Sequence, residues 1–207
     1  METASKATKP KRKNTNRYVV LLVLCLCEMM FLLPYLRWTF YDSMIEAFSF
    51  TNTQLASLGS VYGAVALLGY ALGGPLCDHI SPRKLLISAY ALTAASGFWF
   101  ATFPSFEICV VISIIWGIAT ALLLWDCMIR VTRTLGSSEE QGKFFGLLEG
   151  GRGAVDTISS FLLVAFFAYL GSTVASLQQI IIILSALNIV GAVLVWIFID
   201  DTIPGSD

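Results

Sequence analysis

Gly73-Gly74-Pro75-Leu76-Cys77-Asp78-His79-Ile80-Ser81-Pro82-Arg83-Lys84 is a short polar hinge between two long apolar runs, residues 55–76 and 85–103. Hydrocarbon offers no water to backbone groups, so a chain crossing it must satisfy its own N–H and C=O groups. Each run therefore reads as a helix and the hinge as a tight loop between them.

Working outward from the hinge gives six such runs. Residues 1–17 form a polar, basic tail with Lys6, Lys9, Lys11, Arg12, Lys13 and Arg17, predicted to be disordered. Residues 18–41 make the first span. It is too long for a signal-peptide core, lacks a small-x-small cleavage site and contains Glu28 and Pro34. A polar loop at 42–53 leads to the second span, starting at Gln54. That span is rich in Gly59, Ser60, Gly63, Ala64, Ala66, Gly69, Ala71 and Gly73, and small residues let membrane helices approach closely. The third span, 85–103, ends at Pro104 and Ser105, and the fourth runs from 106 or 108 to about 129. A loop at 130–143, a fifth span at 144–170, a loop at 171–179 and a sixth span at 180–199 complete the pattern. Each run reaches the ~20 residues needed to cross hydrocarbon. The expected architecture is an all-α membrane protein of six transmembrane helices, with a basic tail at 1–17, a helical domain at 18–199 and a polar tail at 200–207.

Composition agrees. The 207 residues are 57% hydrophobic and 13% charged, against about half and a quarter in soluble domains. The five cysteines, Cys25, Cys27, Cys77, Cys109 and Cys127, show neither a disulfide framework nor metal spacing and read as small buried or lipid-facing side chains. With His79 the single histidine, and with no zincin motif or nucleophile elbow, neither an enzyme nor a metal site nor a cofactor is expected.

Lys and Arg placement predicts orientation. Eleven of the thirteen lie in the N-terminal tail, the hinge (Arg83, Lys84) or the 130–143 loop (Arg130, Arg133, Lys143), all on one side if the spans alternate. The loops on the other side hold none. Both termini are expected to be cytoplasmic, and the basic tail is expected to touch anionic lipid rather than nucleic acid.

Charges within spans point to function or internal pairing. At ~1.5 Å per residue, Glu28 lies roughly 15 Å and Asp156 roughly 18 Å deep. Glu149, Arg152 and Asp156 share one helix face. They form either an internally compensated ladder or part of a substrate or proton path. Arg37, flanked by aromatics near the outer end of the first span, either snorkels to the interface or anchors an anionic substrate. Asp126 and Arg130 are spaced as neighbours on one face at the cytoplasmic end of the fourth span. The third and sixth spans carry no charge, so they are free to face lipid all round.

The hinge resembles the loop between the second and third helices of the major facilitator superfamily, Gly-x-x-x-Asp-[Arg]-x-Gly-x-[Arg/Lys]-[Arg/Lys]. Gly74, Asp78, Arg83 and Lys84 match it, while His79 and Ser81 replace the usual arginine and glycine. The resemblance implies that Asp78 caps a gate against a second half of the protein and that Arg83 pairs with Asp126. It also implies that the six spans are one half of a twelve-span fold, built as 3+3 inverted repeats with the substrate site between halves. Residues 35–42 and 141–153 look like a poorly characterised bacterial subgroup. The Asp78…Ser81-Pro82-Arg83 wording is similar to the organophosphate/phosphate antiporters, in which a first-helix arginine holds phosphate; Arg37 is the corresponding candidate.

The reading is a secondary transporter half in the plasma (inner) membrane, moving a small solute, in one version an organic anion, with a proton or counter-solute. Glu28, Arg37, Arg152 and Asp156 are the substrate and coupling candidates. Gly74, Asp78, Arg83, Lys84, Asp126, Arg130 and Glu149 are the gate candidates. A second six-helix half or a homodimer is the expected partner, and monomers are not expected to transport. The alternative is a non-transporting receptor or assembly protein built on the same half, with binding but no flux as its signature.

Overall fold

A computed structural model describes residues 15–200, and every regular element among them is helical. The first predicted span is not one helix. Asn16 caps α1 (Arg17–Leu26) by accepting from the Tyr18 amide at 2.9 Å. The chain then tightens into a 3-10 segment, Cys27–Leu32, and turns before α2 (Leu36–Thr39). Pro34 explains the break, because its ring has no N–H to donate and collides with the preceding turn of a continuous helix. The predicted polar loop at 42–53 is also corrected, since residues Tyr41–Phe48 form α3. Met44 and Phe48 there give one buried side of a short helix.

The remaining elements start where the sequence provides caps. Thr51 and Gln54 form a capping box at α4 (Asn52–His79). Pro82 sits in the first turn of α5 (Pro82–Phe100), where its missing N–H costs nothing. The next element begins as α6 (Phe106–Gly117), widens into π-type turns at Ile118–Trp125 and continues as α7 (Asp126–Arg133). After a 3-10 turn at Ser138–Glu140 comes α8 (Gln141–Tyr169). Gly171, with φ of 88°, makes the turn into α9 (Val174–Phe198), a conformation glycine adopts without strain.

Four of these helical stretches are long and apolar enough to cross a membrane: Asn52–His79, Phe106–Arg133, Ser138–Tyr169 and Val174–Phe198. The first predicted span is interrupted, and the third, α5, is short and includes Arg83 and Lys84 in its first turn.

Two apolar clusters lie one above the other. Leu24, Met30, Leu86, Tyr90, Leu124, Phe144, Leu148 and Val195 fill one. Leu55, Phe100, Ile112, Leu177 and Ile181 fill the other, sealed by Phe48 against Phe50, Phe100 and Phe103. The expectation that the third and sixth spans face lipid all round needs correction, because α5 and α9 pack extensively against each other. Gly191 allows this, since a Cβ there would enter the buried ring of Tyr90. By contrast, α8 is buried along Phe144, Leu148 and Arg152 and almost bare beyond them. A face of Ile158, Phe161, Leu162 and Tyr169 suits hydrocarbon or another protein surface, not water.

Gly191→Ala is expected to lower stability by about 1–3 kcal/mol through overpacking. Gly146→Ala, where a Cβ meets open space, is expected to be near neutral. Thermal unfolding of the two detergent-purified variants checks the contrast.

Candidate functional site

The charged residues of the spans gather in three places. The first is built around Arg152 of α8, which is 9% exposed. Its Nε donates to Glu28 Oε2 at 2.6 Å, and Nη2 reaches the same oxygen at 2.6 Å. Its Nη1 donates to both Glu149 oxygens at 2.9 Å. The guanidinium also lies 4.7 Å from the Trp125 ring centroid and 5.9 Å from that of Phe31. Tyr70 meets the Trp125 ring edge-on, with centroids 5.8 Å apart.

The 3-10 segment presents Glu28 and Phe31, the π-type turns present Trp125, and α8 presents Glu149 one turn before Arg152. Glu149 therefore belongs to this cluster rather than to the gate group in which the sequence reading placed it. Asp156, one turn further along α8, is exposed and makes no ion pair among the described residues. The cluster holds three carboxylates around one cation. Glu149 and Asp156 lie exposed at the edge of the buried stripe that Phe144, Leu148 and Arg152 form.

The second place is the hinge end of α4 against α7. Asp78 and Arg130 form an ion pair there. The pairing of Arg83 with Asp126 implied by the resemblance is not what the structure has. Arg83 begins α5, whose main contact is α9, and its guanidinium lies 5.8 Å from the ring centroid of Trp196. Asp126 instead faces Gly73, where any Cβ would collide with its carboxylate, and its buried Oδ2 has no hydrogen-bond partner. Close approach thus depends on Gly73; the motif glycine Gly74 faces open space. Lys84 is exposed. The cysteine reading is also corrected, since Cys77 and Cys127 are joined by a disulfide between α4 and α7, with Cα atoms 5.8 Å apart. Fifty positions separate them in sequence, and no local spacing pattern reveals such a pair.

Arg37 is the third place. Its guanidinium lies against Gly59 of α4, in the space a Cβ would fill, and 5.1 Å from the ring centroid of Trp38. It lines a small cavity of about 20 Å³ with Tyr62, Ser113 and Trp116, room for about one water. Trp116 is 5% exposed, and its Nε1–H is buried without an acceptor. No ion pair to Arg37 occurs among the described residues. Trp116 and Trp125 were missed in the sequence, where they read as two aromatics in a uniformly apolar run.

Among the described residues no group of three or more His, Cys, Asp or Glu side chains is placed to hold a metal ion. The basic tail up to residue 14 and residues 201–207 lie outside the described residues. Arg17 donates to Glu140 at 2.8 Å.

Arg152→Ala strands two carboxylates and is expected to cost about 3 kcal/mol or more, as broken buried pairs do. Adding Glu28→Gln is expected to return part of that loss, because it removes one stranded charge. A double-mutant cycle in thermal unfolding checks this, and additive losses would show that the pair is not coupled.

The structure can now be set beside known proteins. The chain is 34% identical over 170 residues to the inner membrane protein YqcE of Escherichia coli K12, covering 82% of this chain and 40% of that one. It is 27% identical over 187 residues to the inner membrane protein YihN of the same organism, covering 90% and 44%. A Mycoplasma pneumoniae protein described as an uncharacterized MG294 homolog is 24% identical over 188 residues, covering 84% and 38%. The chain thus spans less than half the length of each of these relatives. The family model of the Major Facilitator Superfamily matches residues 18–207, all of the described helical region except Arg17. The chain belongs to the major facilitator superfamily, a family of membrane transporters.

Proposed function

We propose that this chain is the N-terminal six-helix half of a secondary transporter that moves a small organic anion by alternating access, with both termini in the cytoplasm. One observation carries the reading. Arg152, at the end of the buried stripe Phe144, Leu148 and Arg152, is held by Glu28 and Glu149 between two rings, with Glu149 and Asp156 exposed at the edge of that stripe. Exposed carboxylates within a span are stable in a membrane only if they line a wet cavity or meet another protein surface. A second half supplies both, and the relatives are long enough to contain one.

The helix pairing supports a 3+3 inverted repeat. If the first three predicted spans are exchanged with the last three, the pairing of α4 with α6 and α7 maps onto that of α8 with α1. The α5–α9 pair maps onto itself. Eleven of thirteen Lys and Arg on one side support the orientation.

Arg37 supports the anionic class. A half-buried guanidinium with no carboxylate of its own and an indole N–H with no acceptor line one cavity. Two donors without acceptors favour a ligand that only accepts. In the described conformation the cavity is too small for a solute, so loading requires this end to open. The net negative central cluster favours a proton as the coupling ion, taken up by Glu28 or Asp156 as Arg152 changes partners. Asp78, Arg130 and Asp126 close the cytoplasmic end, and a closed-to-open bias of a few kcal/mol is within what such contacts supply.

Uptake of phosphate and of small organic acids into proteoliposomes, with and without an imposed pH gradient, tests this. A two-half assembly is expected to transport and a demonstrably monomeric preparation to be silent. Arg37→Gln is expected to reduce uptake at least tenfold. Glu28→Gln is expected to abolish the dependence on the pH gradient while leaving solute exchange intact. Saturable binding without flux in a two-half assembly would replace this reading with that of a receptor.

A further inference from the structure

We propose that Cys77 and Cys127 form a reversible thiol–disulfide site that locks the hinge end of α4 to α7 when oxidised and frees it when reduced. The inference rests on the cytoplasmic orientation above for the direction from which the pair is reduced, but not for its existence. Cys77 directly precedes Asp78, and Cys127 directly follows Asp126. The covalent bond therefore lies between the two polar contacts that join the same helices, Asp78 with Arg130 and Asp126 on Gly73. An ion pair separates at little cost in a wet crevice, and a packing contact slides. A disulfide does neither, so once formed it decides whether this end of α4 can leave α7.

The pair is chemically set apart. Cys25 lies on Gly151, with its thiol 3.7 Å from the Leu148 carbonyl. Cys27 points back to the Val23 carbonyl at 3.5 Å and Cys109 to that of Pro104 at 3.6 Å. These three are free thiols, each on a different partner. Both sulfurs of the pair are buried, at 1% and 0% exposure. Exchange with a soluble thiol needs a thiolate and a clear approach to sulfur, so the bond forms while this end is open, and its reduction proceeds through local fraying of the two helix ends, which admits a thiol without separating α4 from α7.

The co-reactant is a low-molecular-weight disulfide such as oxidised glutathione. One protein thiol loses its proton, and its thiolate attacks a glutathione sulfur, breaking the glutathione S–S bond. This yields a mixed disulfide and one glutathione thiolate. The second protein thiolate attacks the protein sulfur of the mixed disulfide, closing the Cys77–Cys127 bond and expelling the second glutathione. Two protein thiols thereby lose two electrons and two protons, and one glutathione disulfide becomes two thiols. Reduced glutathione, abundant in cytoplasm, drives the reverse. The locked state is therefore conditional on oxidising conditions.

The test uses the whole chain in sealed membrane vesicles equilibrated with oxidised or reduced glutathione, then denatured and alkylated with N-ethylmaleimide for intact mass. Of the five cysteines, the three outside the pair are expected to be labelled after oxidation and all five after reduction. Cys77→Ser and Cys127→Ser are each expected to label every remaining cysteine in both conditions. Five labels after oxidation of the native chain would overturn the site.

Amide hydrogen exchange over residues 73–79 and 126–133 reads the lock. It is expected to be at least tenfold slower in the oxidised form, with no such difference in either serine variant. Equal exchange in both forms of the native chain would overturn the locking role. Neither readout requires flux, so a failure of the transport reading leaves them interpretable. A membrane-impermeant phosphine added to one face at a time is expected to reduce the pair only from the cytoplasmic side. Reduction from the opposite side alone would leave the site standing and overturn the proposed orientation.

Discussion

Arg152 is a cation that cannot leave its charge behind. In a medium without water, an ionised side chain needs opposite charge and hydrogen bonds at every donor. Glu28 takes two of its nitrogens and Glu149 a third, with the ring of Phe31 from the Glu28 segment and that of Trp125 from a further element alongside. That one requirement brings together the first, second, fourth and fifth predicted spans. Trp125 is held on its other side by Tyr70 of α4, so even the helix without a charge in this cluster is tied to it. The apolar clusters above and below could be filled by many side chains. The guanidinium accepts few alternatives.

The helix-to-helix contacts away from Arg152 follow a different rule. There the determining feature is absence of volume. Gly73 brings Asp126 onto α4, Gly59 makes room for Arg37 and Gly191 admits Tyr90. In each case a small residue on one helix sets where a large or charged residue on another comes to rest. Polar groups are thereby placed with their surroundings only partly satisfied, as the Asp126 and Trp116 atoms without partners illustrate. Positions of this kind are better suited to changing partners than to adding stability.

How much of this was legible in the sequence depended on whether the signal was local. Apolar run length and the Lys and Arg asymmetry are properties of the chain itself, and they give the helical content, the membrane character and the family resemblance. Glu149 and Arg152 share a face because of their spacing, and that too is readable, as is the similar depth of Glu28. Arg83 was assigned the wrong partner because its destination is set by the packing of α5 on α9, which no motif encodes. The Cys77–Cys127 bond and the seat of Arg37 on Gly59 likewise require knowing which helices touch. Residues 42–48 were read as loop because their polarity hid a short helix with a narrow buried side.

The irregular middle of the first span has a mechanical consequence. An unbroken helix transmits rotation along its length, since each turn is tied to the next by the same ladder of bonds. Between Cys27 and Leu36 that ladder is rewound and then broken at Pro34, with a matching loosened stretch at Ile118–Trp125 in the partner span. Torque applied at Arg37 is therefore not passed on to Glu28. The two ends of the bundle are joined through the contacts of Arg152 rather than through one continuous first helix.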